Sequence, residues 1–350
     1  MRNRLGVIAW ALVAACALAG LPSAYALTVT RGPYLQMGTA TTQVLRWRTD
    51  VATDSQVRLG TSPANLVPVA GDTAATTEHA ITLTGLAPET VYYYSVGSAA
   101  GVLAGGDLNY FFVTPPPPGT ADAVRVWVLG DAGTAGPTGF SADQAAVRDA
   151  YTTWNKQYTD LLLMLGDNAY YAGTDAEYQN AVFNMYGGIL RQTNVWSTVS
   201  NHDTNQSADP NMATTAYFSV FTMPTAGEAG GVASGTRKYY SFDFANIHFV
   251  SLDSMTSDRS VNGPMLTWLA SDLAANRKPW LIAYWHHAPY TKGSHDSDAE
   301  IELTEMRANA LPILEAYGVD LVRPLSVGHA AAGLEGDLLW HAWTEHPVRV

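Results

Sequence analysis

Five short stretches carry side chains that could hold metal ions and move protons: Gly130-Asp131-Ala132-Gly133, Gly166-Asp167-Asn168-Ala169-Tyr170, Ser200-Asn201-His202-Asp203, Tyr284-Trp285-His286-His287 and Val327-Gly328-His329. Carboxylates, a phenol, imidazoles and an amide are all side chains that bind metal ions. Asp131 and Asp167 each follow a glycine at the end of an apolar run. A carboxylate there is costly unless it is paired, hydrogen-bonded or bound to metal. Each of the first four stretches closes a strand-like run, so a parallel sheet would bring their polar residues to one edge. Two-metal hydrolysis needs that arrangement.

The elements that must position these residues fall into two halves. From Leu27 to Thr114 short alternating runs such as Gln43-Val44-Leu45-Arg46-Trp47-Arg48 and His79-Ala80-Ile81-Thr82-Leu83 predict strands with one buried face. The segment from Leu83 to Val96, with Pro88 in its turn and Tyr92 and Tyr94 alternating, resembles the fibronectin type III signature. It implies a sandwich of about seven strands with both tyrosines in the core. A proline-rich linker over 115–122 follows, stiff enough to mark a boundary. Beyond it strands alternate with helices, the pattern of an α/β domain. Val124–Leu129, Leu161–Leu165, Val195–Val199, Tyr239–Leu252, Trp280–Tyr284 and Val319–Val322 read as strands, and Ser141 caps a helix to Trp154. Residues 204–236, rich in Ser, Thr, Ala and Gly, read as a long surface insertion.

The chain of 350 residues is long enough for two domains and a large core. Residues 1–26 read as a secretory leader: Arg2 and Arg4, an apolar run from Leu5 to Leu18, then Ala24-Tyr25-Ala26 as cleavage site, giving a secreted or periplasmic protein. That run is too short for a stable membrane span. A competing reading gives Cys16 a lipid anchor, but the apolar stretch continues past it where a polar tether is expected. Cys16 is the one cysteine, so the mature chain has no internal disulfide. The net charge of −12 argues against nucleic acid as a partner, because phosphate backbones require clustered Lys and Arg. The oligomeric state is not legible.

From about Leu27 to Val322 the chain resembles the calcineurin-like metallophosphoesterases, and among them the purple acid phosphatases of bacterial type. The Arg31-Gly32-Pro33-Tyr34-Leu35-Gln36 entry and Tyr170 of Gly-Asp-x-x-Tyr carry the second likeness. The resemblance implies a four-layer αββα catalytic domain over 123–322, incomplete at its C-terminus. It implies two metal ions, Fe(III) and a divalent Zn, Mn or Fe. Asp131 and Tyr170 would bind the first, Asp167 would bridge, and Asn201 and His286 would bind the second. A metal-bound hydroxide would attack a small phosphate monoester, His202 would protonate the leaving group, and Asp203 would orient His202. His295, in a stretch resembling the substrate loop, would face the phosphoryl group, with His287 a lesser candidate. Asp253, His248 and Tyr239 read as structural. Ser200 stands where the family has glycine, which a small side chain should tolerate.

The pattern then breaks. The family ends on Gly-His-x-His, whereas Gly328-His329-Ala330-Ala331 keeps His329 as a ligand and has Ala331 in place of the second histidine. Pro324 does not suit a central strand, and 323–350 reads as an atypical tail, explained by a reading-frame change or truncation near codon 322. His341 and His346 lack strand-end context and read as tail residues. Two further readings follow: a phosphodiesterase or nucleotidase on the same scaffold, or a binding protein with impaired catalysis.

Overall fold

Period-two alternation in the first half produces six strands among the described residues: β1 (Val29–Gln36), β2 (Gln43–Gly60), β3 (Val67–Leu83), β4 (Val91–Ser98), β5 (Gly101–Gly105) and β6 (Phe111–Val113). That is one fewer than the sandwich signature implied. The computed structural model describes residues 27–205, 215–292, 295–325 and 340–341, and only the backbone at 323–325 and 340–341. Strand β2 serves two layers: its first part pairs with β1, its last with β4, and β3 follows it along both. Leu45, Trp47, Val57, Ile81, Tyr94, Val96 and Phe112 fill the space between, with Tyr92 at the margin.

The two halves on either side of the linker share a sheet. Leu35 of β1 pairs in parallel with Asn194 of β9 (Asn194–Ser197), so strands from before and after the linker form one ten-stranded sheet. Buried polar contacts fasten the joint: Gln43 donates to Asn194 Oδ1 at 2.7 Å, Arg46 to the Ser219 carbonyl at 2.7 Å and Tyr94 to the Arg191 carbonyl at 2.7 Å. Arg31, fully buried, donates to Gln179 and Asp175 while lying over Phe183. Pro115 and Pro116 are themselves buried.

In the second half, β7 (Arg125–Leu129), β8 (Leu161–Met164) and β9 run parallel in the first sheet, with β14 (Trp340–His341) antiparallel on β7. A second sheet holds β10 (Tyr240–Phe244), β11 (Ile247–Ser251), β12 (Trp280–His287) and β13 (Leu321–Leu325) in that order. The sheets pack face to face, Trp196 stacking on Phe242 at 3.8 Å. Helix Ala142–Trp154 covers the first sheet through Tyr151 on Trp127, and its cap is as expected, Ser141 Oγ accepting from the Gln144 amide. Helices Pro264–Ala275 and Leu311–Ala316 cover the second sheet. The result is the four-layer order, helix, sheet, sheet, helix.

Two expectations change. Strand β13 continues through Pro324 to Leu325 and, among the described residues, is the last strand of its sheet, a position where a residue without an N–H is tolerated. The insertion is not all surface: within 204–236 the residues 206–214 lie outside the described ones, but Tyr217, Phe218, Val220, Phe221 and Met223 are core. Tyr217 donates to the Ser197 carbonyl at 2.8 Å. Large apolar side chains prevail there over a polar, small-residue average.

His248 proves structural, held between Asp243 Oδ1 at 2.7 Å and Asp272 Oδ2 at 2.8 Å, with Lys278 on Asp243 at 2.6 Å. Burial opposes its charge, but the two carboxylate bonds prevail and push its pKa from 6.5 up to about 9. A raised folded pKa stabilises fully below the unfolded value and is lost as pH rises through the folded one. The unfolding free energy should therefore fall as pH rises from about 6.5 to about 9, by an amount on the order of 3 kcal/mol. His248→Asn should flatten that slope.

Candidate metal centre

Strands β7 and β8 run in register, Leu129 opposite Met164, and Leu165 extends the ladder by donating to the Leu129 carbonyl at 2.7 Å. Beyond it Asp131 and Asp167 both adopt left-handed backbone, each at φ 51°. Aspartate tolerates this better than most residues. The two turns are laced together: Gly133 donates to the Asp167 carbonyl at 3.0 Å, and Tyr170 to the Gly133 carbonyl at 3.2 Å. Gly166, at φ 92°, admits His286 and Ser200 to the crossing, since a Cβ there would lie 2.7 Å from each.

His286 arrives from β12 in the second sheet, so the centre lies between two sheets, not along the edge of one. Ligand atoms of Asp131, Asp167 and His286 all fall within 4.8 Å of one another. The Asp131 Oδ1 is buried with no hydrogen-bond partner among the described residues. Burial and the nearby Asp167 charge push Asp131 up to about 8, against a hydrogen bond from Tyr170. The Tyr170 hydroxyl is driven above its ordinary range by burial, then by Asp131 and Asp167. His286 donates Nδ1–H to the Leu165 carbonyl at 3.0 Å, turning Nε2 toward Asp167 Oδ1 at 3.4 Å. Burial lowers its pKa and favours the neutral, ligating form. Crowded carboxylates, an orphaned oxygen and an oriented imidazole fit a cation.

Asn201 belongs to the loop after β9, beside Ser200, whose Oγ accepts the Asp167 amide N–H at 2.6 Å. His329 and Ala331 lie outside the described residues. His202 donates Nδ1–H to the Tyr171 carbonyl at 2.7 Å, stacks edgewise on Tyr170 at 4.4 Å and holds Nε2 4.0 Å from Asp167 Oδ2.

Asp203 is not the group that orients His202. It is fully buried and its carboxylate accepts from Ser200 Oγ at 2.7 Å, Asn168 Nδ2 at 2.8 Å, the Asn168 amide at 3.2 Å and the Tyr178 hydroxyl. Burial and then Asp167 raise its pKa to about 7. It ties the β8 and β9 loops together, and the carbonyl of Tyr171 does the orienting. Asn168, Tyr178 and Ser200 were missed as site residues. Asn168 stood inside a motif as a spacer, Tyr178 carried no signal, and Ser200 was legible only as a departure from glycine. Ser200→Ala strands the Asp167 amide and removes one of the two side-chain donors to Asp203 Oδ2, so urea unfolding should show a loss of about 1–3 kcal/mol.

His295 pairs through Nδ1 with Glu300 in the loop after β12, near enough for its charge to bear on His286. His287 meets Ser254 Oγ at 2.8 Å, and burial holds its pKa well below the ordinary value. Asp253 accepts the amides of Met255 and Thr256, both at 2.8 Å, and Tyr239 packs on Trp268, so both are structural as expected.

Residues 31–114 match the purple acid phosphatase N-terminal domain, and residues 124–331 match the calcineurin-like phosphoesterase family. The second match passes Val322 and takes in Gly328-His329. Purple acid phosphatase 15 of Arabidopsis thaliana is 28% identical over 275 residues, covering 70% of this chain and 47% of its own. Purple acid phosphatase 1 of Ipomoea batatas is 28% identical over 255 residues, covering 70% and 49%. The chain spans about half the length of the curated relatives it matches. Among solved structures, a purple acid phosphatase from yellow lupin (Lupinus luteus) seeds superposes with a TM-score of 0.60 at 17% identity, over 84% of this chain and 58% of that one. PhoD superposes at 0.62 and 15%, over 85% and 71%. At such identities the structures share the fold.

Proposed function

Since this chain belongs to the calcineurin-like phosphoesterase family and carries the purple acid phosphatase N-terminal domain, we propose that it is an exported binuclear-metal phosphatase acting on small phosphate monoesters. The convergence of Asp131, Asp167 and His286 on one point, with an Asp131 oxygen that has no hydrogen-bond partner among the described residues, carries this reading. Asp131 and Tyr170 would hold Fe(III), Asp167 would bridge, and Asn201 and His286, joined by His329, would hold a divalent Zn, Mn or Fe. Bound there, such cations activate water and offset the charge on phosphoryl oxygens.

The chain's own residues supply the rest. The Tyr171 carbonyl engages His202 Nδ1 and so leaves Nε2, the nitrogen that faces Asp167, as the atom from which a proton would be passed. That proton passes to the leaving oxygen. The Ser200, Asn168 and Asp203 bonds keep the loops bearing Asp167 and His202 at fixed separation. Ala331, standing where the family has a histidine, should weaken metal retention and reduce activity.

Metal analysis of the purified protein, with hydrolysis of p-nitrophenyl phosphate set against its bis ester, tests the proposal. Bound metal and preference for the monoester are expected. Preference for the bis ester would move the chain to the phosphodiesterases, and near-zero metal without turnover would make it a binding protein.

A further inference from the structure

We infer that the side chain of Tyr171 selects esters whose leaving group is aromatic. This rests on the phosphatase reading above. Hydrolysis joins a water oxygen to phosphorus, breaks the bond to the ester oxygen and sends a proton to that oxygen. His202 Nε2 is the donor, so the organic part of the substrate must emerge beside the imidazole. There the ring of Tyr171 stands, its centroid 6.4 Å from that of His202, with 68% of the residue exposed.

The backbone that carries the exposed ring is fixed on both sides. The Tyr171 carbonyl accepts from His202 at 2.7 Å, while Glu177 accepts the Tyr171 amide at 2.6 Å and the Ala172 amide at 3.2 Å. Glu177 is in turn set by its capping box with Thr174. A rigid, solvent-facing aromatic surface gains from covering by a flat partner and loses no backbone entropy when covered. The loops leaving β7 and β12 also carry exposed aromatics, Phe140 at 61% and Tyr290 at 69%. Each of the three strands that deliver Asp131, Asp167 and His286 is thus followed by one aromatic ring in solvent.

The test compares phenyl phosphate with an alkyl phosphate whose fluorinated alcohol leaves as readily as phenol. Tyr171→Ala should lower the phenyl-to-alkyl ratio of kcat/KM by about threefold to tenfold, mainly through KM, and Tyr171→Phe should preserve it. Calorimetry of phenylphosphonate and methylphosphonate binding to the metal-loaded protein reads the same selection without bond cleavage. Equal ratios in the native and Tyr171→Ala proteins overturn the inference. If neither ester is hydrolysed, yet the phenylphosphonate preference exists and disappears in Tyr171→Ala, the selection stands and the phosphatase reading falls.

Discussion

Asp167→Asn should empty the centre of metal and reduce kcat/KM for p-nitrophenyl phosphate by well over the roughly 100-fold that outer-shell changes cause. Asp167 is the carboxylate shared by every part of the site: 3.4 Å from His286 Nε2, 4.0 Å from His202 Nε2, and beside Asp131. Asparagine keeps the shape and accepts the left-handed backbone at φ 51°. What it removes is the negative charge that a buried cation requires. The fold should survive, because the substitution also relieves the repulsion that helps raise Asp131 to about 8. Metal-free Asp167→Asn should therefore unfold at a urea concentration no lower than the metal-free native chain. Metal content and urea midpoints, measured on the same samples, check both parts, and full metal content in the variant would contradict the assignment.

His202→Ala should lower kcat by about 10²- to 10⁴-fold, the size of a lost general acid, while metal content stays at the native level. The effect has a direction that a structural role would not produce. A leaving group that is itself acidic needs little protonation, so p-nitrophenyl phosphate should suffer least and alkyl phosphates most. A plot of log kcat against leaving-group pKa should accordingly become steeper in the variant. Parallel plots would mean that His202 only helps to hold the substrate.

The residues that name the chemistry were legible because they interrupt strong local patterns. Gly-Asp after an apolar run is conspicuous in the sequence, and both Asp131 and Asp167 do stand just past their strands. Tyr170 is marked by the resemblance of Gly166-Asp167-Asn168-Ala169-Tyr170 to the family's Gly-Asp-x-x-Tyr motif. Asp203 shows where such reading stops: its place beside His202 in the chain suggested a partnership, but its carboxylate turns toward Tyr178, Asn168 and Ser200. Adjacent residues at a loop rarely share a direction, and a buried carboxylate turns to whichever donors the packing offers.

The sequence by itself determined the donor types, the strands that carry them, the Ser141 cap and the order of the two halves, since each depends on periodicity or on contacts a few residues apart. Tertiary structure alone decided that His286 crosses from a second sheet, that β1 joins the sheet of β7, β8 and β9 at Asn194, and that a backbone carbonyl of Tyr171 orients His202. Those contacts join segments far apart in the chain. Nothing in local hydrophobic pattern encodes their pairing, which is settled only when the two sheets close their common core.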